Sequence, residues 1–124
     1  MAVMSHDPFF PQVKLRLLFG DRAMVGPGKV LLLENIRDLG SISAAGRAMG
    51  MSYKRAWSLV EEMNAAFRLP VVLPARGGAG GGGAAVTGAG LAVIAAYRGF
   101  EAAALEAGAG ELAALRGMLA DMSD

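Results

Sequence analysis

The chain has no cysteine and a single histidine, His6. The first absence excludes a disulfide framework and any thiolate metal site, and it suits a reducing cytoplasm. The second removes the commonest general base and metal ligand. His6 lies in Met1–Gln12 (MAVMSHDPFFPQ) with no partner cluster, so no metal role is expected of it. That stretch also has no positive flank and no long apolar core, which excludes a secretory signal. Hydrophobic residues reach 54%, but alanine and glycine inflate the figure, and no run approaches the ~20 apolar residues of a membrane span. No carboxylate pair sits in an apolar pattern either. With no catalytic His or Cys, nothing in the sequence supports catalysis, and no cofactor or small-molecule effector site is legible.

Charge of one sign is scarce as well, because the net charge is only +1. Its distribution is uneven. Residues 1–76 carry ten Lys or Arg against six Asp or Glu, whereas residues 77–124 carry two against five. A basic front and an acidic rear suit a protein with one face toward phosphate. Random scatter is the plain alternative. At 124 residues the chain is one domain with enough length for its own core.

The stretch Gly40–Phe67 (GSISAAGRAMGMSYKRAWSLVEEMNAAF) organises the rest. Ser41 or Ser43 suits the N-cap of a first helix. Gly50 suits a left-handed helix end, and Ser52 the N-cap of a second helix. In Tyr53–Phe67 the residues Ala56, Val60, Met63 and Phe67 share one face at helical spacing. Two short helices around a glycine-containing turn make a helix-turn-helix. Two core helices of any small α domain would read similarly. Ser41–Val60 nevertheless holds Arg47, Lys54 and Arg55 and no acid, while Glu61 and Glu62 follow later. With the apolar stripe inward, Lys54 and Ser58 point outward, Arg55 and Trp57 flank them, and Tyr53 sits at the boundary. Helices that read DNA contact it mainly from their N-terminal turns, where cations and hydroxyls meet a polyanion.

Upstream, Val13–Phe19 (VKLRLLF) alternates Val13, Leu15, Leu17 and Phe19 against Lys14, Arg16 and Leu18, the pattern of a half-buried strand. Gly20–Gly28 reads as a loop, with Pro27 placed for a helix start. Lys29–Leu39 carries the stripe Leu32, Leu33, Ile36 and Leu39, and Gly40 closes it. Downstream, Leu69–Pro74 reads as a strand and Ala84–Thr87 as its return, with Arg76 and GGAGGGG at 77–83 between them. A strand–loop–strand after a recognition helix occupies the place of a wing, whose glycine N–H groups can meet phosphate. An inert hairpin tip is the alternative. Gly78, Gly80 and Gly83 fit a dinucleotide fingerprint only as any glycine run does, without a βαβ unit, and the Walker pattern fails for want of the Lys and Ser or Thr.

The remainder is alanine-rich and helical. Leu91–Leu105 aligns Val93, Tyr97, Phe100 and Ala104, with Ile94 beside them. After a break near Gly108–Gly110, Glu111–Met122 repeats Leu112, Leu115, Leu119 and Met122 as a short seam. Such helices either fold back on the core or pair with a second copy, and the spacing does not decide between the two.

GSISAAGRAMGMSYKRAW…EEMN, followed by the glycine-packed loop and AAVT, resembles the N-terminal winged helix-turn-helix domain of the ModE molybdate-responsive regulators. The likeness runs from about Lys14 into the C-terminal helices. SISAA is shared with LysR-type regulators, whereas the SYK-x-AW and poly-glycine pair is more specific. The resemblance implies a homodimeric DNA-binding domain, usually followed by molybdate-binding domains. This chain stops before any such domain, so a stand-alone form that does not itself bind molybdate is expected. The chain departs from the family at the wing, where Pro74 and Ala79 stand in place of basic residues and leave Arg76 as its cation.

The expected architecture is therefore mainly α, a winged helix-turn-helix with a small antiparallel β wing and C-terminal dimerisation helices. Residues 1–12 form a flexible tail, 13–87 the DNA-binding domain and 88–124 the pairing helices. The expected partners are double-stranded DNA and a second copy, with no membrane. Lys54, Arg55 and Ser58 are expected at base edges or nearby phosphates, and Ser52 and Tyr53 at the backbone. Ser43 and Trp57 belong to the same DNA-facing set. Arg76 with Gly77, Gly80, Gly81 and Gly82 is expected at flanking phosphate. A reading from another class keeps the fold but weakens DNA binding, making the chain a protein–protein interaction module.

Overall fold

Hydroxyl caps and left-handed glycines set the element boundaries. The computed structural model describes residues 11–76 and 82–120. Within them the order is β1 (Leu17–Phe19), β2 (Ala23–Val25), α1 (Pro27–Leu39), α2 (Ile42–Ala48), α3 (Tyr53–Ala66), β3 (Val72–Ala75), β4 (Gly83–Val86), α4 (Gly88–Ala107) and α5 (Ala109–Met118). Gly40 (φ 74°) and Gly50 (φ 72°) end α1 and close the α2–α3 turn in the left-handed region, where a Cβ is strained. Ser41 rather than Ser43 caps α2, accepting from the Ala44 N–H at 3.0 Å. Ser52 caps α3, accepting from the Arg55 N–H at 3.1 Å.

α1 runs through the middle of the core. Leu32, Leu33 and Ile36 are fully buried, each contributing roughly 1.5–3 kcal/mol. Around them gather Ala45 of α2, Ala56, Leu59, Val60 and Met63 of α3, Val71, Val72 and Ala84 of the second hairpin, and Ile94 and Tyr97 of α4. The helix-turn-helix is tight because Gly46 has no side chain. A Cβ there would lie 3.0 Å from the Ala56 Cβ, so α2 and α3 approach along this line.

Both sheets are antiparallel hairpins. β1 pairs with β2 from Leu17↔Val25 to Phe19↔Ala23, and β3 pairs with β4 from Val72↔Val86 to Ala75↔Gly83. The second hairpin follows α3 directly and is the wing of a winged helix. Its return strand is anchored to the end of α1 by the Ala84 N–H donating to the Gly40 carbonyl at 2.9 Å.

Several expectations need correction. β2 lies inside the stretch read as a loop, because three residues carry no visible period. Burial does alternate along residues 13–18, yet only Leu17–Phe19 are laddered. Phe19, Leu39 and Phe100, placed inward by periodicity, are 58%, 50% and 51% exposed, because each lies past the edge of the core. Phe67 is half-buried, and Leu59 takes a core position instead. The wing strand begins at Val72 rather than Leu69, and Thr87 is the N-cap of α4 rather than a strand residue. α1 starts at Pro27, and α5 runs from Ala109 to Met118 with none of its residues buried. The wing-tip Gly77, Gly80 and Gly81, the seam residue Met122 and most of the expected tail, His6 included, lie outside the described residues.

Candidate nucleic-acid interface

α3 presents three rows of side chains. The central row, Lys54 and Ser58, is fully on the outside, with Glu61 below it. On one side Tyr53 and Trp57, 55% and 42% exposed, face the wing across a groove of about 390 Å³ that also meets Ser43, Leu73, Pro74 and Gly82. No charged side chain among the described residues lines this groove. On the other side Arg55 faces away from the wing, toward the start of α1.

The structure thus brings Ser43, Tyr53, Trp57 and Gly82 to one groove and keeps Lys54 and Ser58 on the crest beside it. Two nearby serine hydroxyls have a local duty. The Ser52 oxygen serves as a helix cap, and Ser43 accepts from Arg47 Nη1 at 2.8 Å, which fixes a cation on the α2 surface. Arg76 is exposed at the end of β3, on the wing side. Gly82 is exposed, and a Cβ there would meet nothing.

One positioning residue was not anticipated. The Asn64 side chain accepts from the Val71 N–H at 2.8 Å and the Val72 N–H at 3.2 Å, and donates to the Val72 carbonyl at 3.0 Å. It locks the far end of the recognition helix to the first residues of the wing. A half-buried amide that satisfies three backbone groups sets an angle as well as adding stability. The only sequence signal was an Asn near a helix end, which by itself reads as a terminator.

Thr87 reinforces the same corner. Its hydroxyl donates to the Pro70 carbonyl at 2.7 Å and accepts from the Gly90 N–H at 3.0 Å. A Cβ on Gly90 would overlap the Val71 carbonyl oxygen and Val86 Cγ1, so α4 reaches the base of the wing only because this residue is glycine.

Behind α3, α4 braces α1 and the segment that leads into β1. Arg98 donates to both Glu34 oxygens at 2.9 and 2.7 Å and to Glu101 at 2.8 Å. These bonds hold the Glu34 carboxyl below its ordinary value and push the guanidinium up. The Tyr97 hydroxyl donates to the Leu15 carbonyl at 2.6 Å, and burial raises its pKa above the ordinary phenol value.

No helix among the described residues is long and apolar enough to cross a membrane, and no group of three or more potential metal ligands occurs among them. No protein-family model matches the chain. Individual proteins do. The molybdenum-pterin-binding protein MopB of Rhodobacter capsulatus is 51% identical over 80 residues, covering 64% of this chain and 30% of that protein. MopA of the same organism is 40% identical over 94 residues, covering 76% and 35%. The DNA-binding transcriptional dual regulator ModE of Escherichia coli K12 is 37% identical over 86 residues, covering 69% and 33%. The chain spans about a third of the length of these relatives. The wing directly after a capped, outward-facing α3, together with these alignments, identifies the chain as a ModE-like winged helix-turn-helix domain.

Proposed function

We propose that residues 13–87 bind duplex DNA in the service of transcriptional regulation, and that residues 88–124 pair two copies of the chain. The observation that carries the reading is the crest of α3. Lys54, Arg55 and Ser58 are exposed on its N-terminal half, with no acid before Glu61. Among the relatives, ModE of E. coli is named as a DNA-binding regulator. Lys54, Arg55 and Ser58 are assigned to base edges or adjacent phosphates, with Tyr53, Trp57 and Ser43 at the groove wall. Ser52 acts through the backbone it caps, and Arg76 with the wing-tip glycines meets flanking phosphate. Pairing is supported by the outer surface of the last two helices, where Phe100, Leu115, Met118 and Leu119 are all more than half exposed.

Molybdate is proposed not to act on this segment. MopA and MopB are named for binding molybdenum-pterin, and the proposal assigns that property to the parts of those proteins outside the match. Titration calorimetry with molybdate is expected to give no saturable heat, and saturable heat would overturn this part.

The test of DNA binding is fluorescence anisotropy with duplex DNA over a salt series. A few phosphate contacts per subunit give a log–log slope of several units per dimer. Lys54→Ala is expected to lower the ratio of specific to non-specific affinity, by roughly 1–3 kcal/mol if it reads a guanine edge. No binding even at low salt would overturn the reading. That result would favour the interaction module, a reading motivated by the uncharged wing-side groove.

A further inference from the structure

A helix of about 10–12 Å diameter nearly fills a major groove about 12 Å wide, so one phosphate strand runs along each of its flanks. On the wing flank of α3 the lining is aromatic and aliphatic. The opposite flank is different. Lys14, Arg16, Lys29 and Arg55 converge on a cleft of about 410 Å³ between the extended segment that leads into β1, the start of α1 and α3, and no acid among the described residues lines it. Lys29 is largely committed, donating to the Met24 carbonyl at 3.0 Å and pairing with Glu62 at 3.2 Å. Lys14, Arg16 and Arg55 have no carboxylate partner among the described residues.

The start of α1 opens on the same cleft. Its N-cap, Gly26, offers no capping side chain, and Pro27 has no N–H. The first intrahelical donor is the Val30 N–H, which leaves the Gly28 and Lys29 N–H groups for an outside acceptor. Gly26 also makes room for the strand. A Cβ there would stand 3.5 Å from Arg16 Cγ and 3.2 Å from the Met24 sulfur. Unpaired cations facing one cleft repel each other, and a polyanion relieves that repulsion while releasing its own counterions.

We infer that this cleft is a second phosphate-binding flank, in which Lys14, Arg16 and Arg55 grip the DNA strand on the side of the recognition helix away from the wing. The inference rests on the DNA-binding reading above and adds residues to it. Tyr97 is the positioning residue, because its hydroxyl holds the Leu15 carbonyl, between Lys14 and Arg16 in sequence, at 2.6 Å. The contact is with phosphate and carries no sequence preference of its own.

The test uses the full chain and a fluorescent duplex of random sequence, followed by anisotropy across a salt series. The double variant Lys14→Gln/Arg16→Gln keeps both stems and should reduce the log–log salt slope by about two units per subunit, with a corresponding loss of affinity at low salt. Arg55→Gln, on the exposed surface of α3, should remove about one unit by itself and covers the case in which the double variant does not fold. Arg22→Gln, outside this cleft, should leave the slope unchanged. Normal DNA binding by the parent with an unaltered slope in the cleft variants would overturn the inference alone. An equal loss from Arg22→Gln would also overturn it, since charge anywhere would then suffice. Absence of DNA binding by the parent would overturn the underlying reading and this inference together.

Discussion

The two flanks of α3 are built on opposite terms. The wing flank is strongly located and nearly neutral. Three hydrogen bonds made by the Asn64 side chain, one from the Thr87 hydroxyl to the Pro70 carbonyl and the close seat of Gly90 hold its base, while Tyr53, Trp57, Leu73 and Pro74 supply its surface. The other flank is rich in cations, and the side-chain hydrogen bond that ties down the segment before β1 is the one from Tyr97 to Leu15. Shape and charge, which a DNA-binding surface needs together, are here divided between two sides of one helix. A wing poor in basic residues is therefore no measure of the whole interface.

The comparison breaks most severely at Gly90. Gly90→Ala drives a methyl into the Val71 carbonyl and Val86, neither of which can yield without moving the hairpin. The expected loss is at or above the upper end of the ~1–3 kcal/mol typical of overpacking, read as a lower midpoint in thermal or urea unfolding. An unchanged midpoint would show that the wing base is not closely packed.

Asn64→Ala comes next. Leaving the Val71 and Val72 amides unpaired near the core should cost roughly 1–3 kcal/mol. Hydrogen exchange should quicken across β3 and β4 while the amides near Leu15 keep their protection. Equal quickening on both sides would mean that the two flanks are one mechanical unit.

Tyr97→Phe attacks the other side. Removing one hydroxyl should cost about 1 kcal/mol and loosen the segment carrying Lys14 and Arg16, so the salt dependence of DNA binding should weaken with little change in the wing. A melting temperature that falls with no change in salt slope would restrict Tyr97 to packing.

The smallest effect is expected from the brace that serves both flanks. Arg98 hydrogen bonding depresses the Glu34 pKa, partly opposed by burial, so the folded state favours the ionised carboxyl. The stabilisation is present at neutral pH and is lost as pH falls through the depressed folded value, below the ordinary glutamate range. Asp38, lowered by its hydrogen bond from Arg37, acts with the same sign. The diagnostic is therefore the difference between the parent and Glu34→Gln. The variant should be less stable at neutral pH, with a shallower decline in acid. Parallel pH curves would show that the Glu34–Arg98 pair contributes no linkage.

How much of this was legible depended on how local each signal was. Ser52, Gly40 and Gly50 act on residues within one helical turn, so these boundaries could be read directly, whereas Ser41 was one of two candidates for the first cap. The outward position of Lys54 and Ser58 followed from the buried side of α3. Periodicity names a face but not how far the core extends beneath it, and so Phe19, Leu39 and Phe100 were placed inside. Asn64 could not be recognised because its partners arrive only when the chain returns at Val71 and Val72. Lys14 and Arg16 were visible as the polar side of a strand. That they share a cleft with Arg55 is a fact of tertiary structure, set by where Gly26 and α1 turn the chain.

The hydrogen bond from Tyr97 to the Leu15 carbonyl spans 82 residues, and this separation orders events in time. The helix-turn-helix closes through contacts between neighbours in sequence, whereas the extended segment bearing Lys14 and Arg16, just before β1, is held by a contact with the distant α4. Long-range closure of this kind comes late, because chain entropy is lost before the contact repays it. Pulse-labelling hydrogen exchange during refolding is expected to find α2 and α3 protected before the residues around Leu15. That order would let α3 take shape ahead of its basic flank, and a chain caught between the two stages would present the proposed reading residues without the proposed grip beside them.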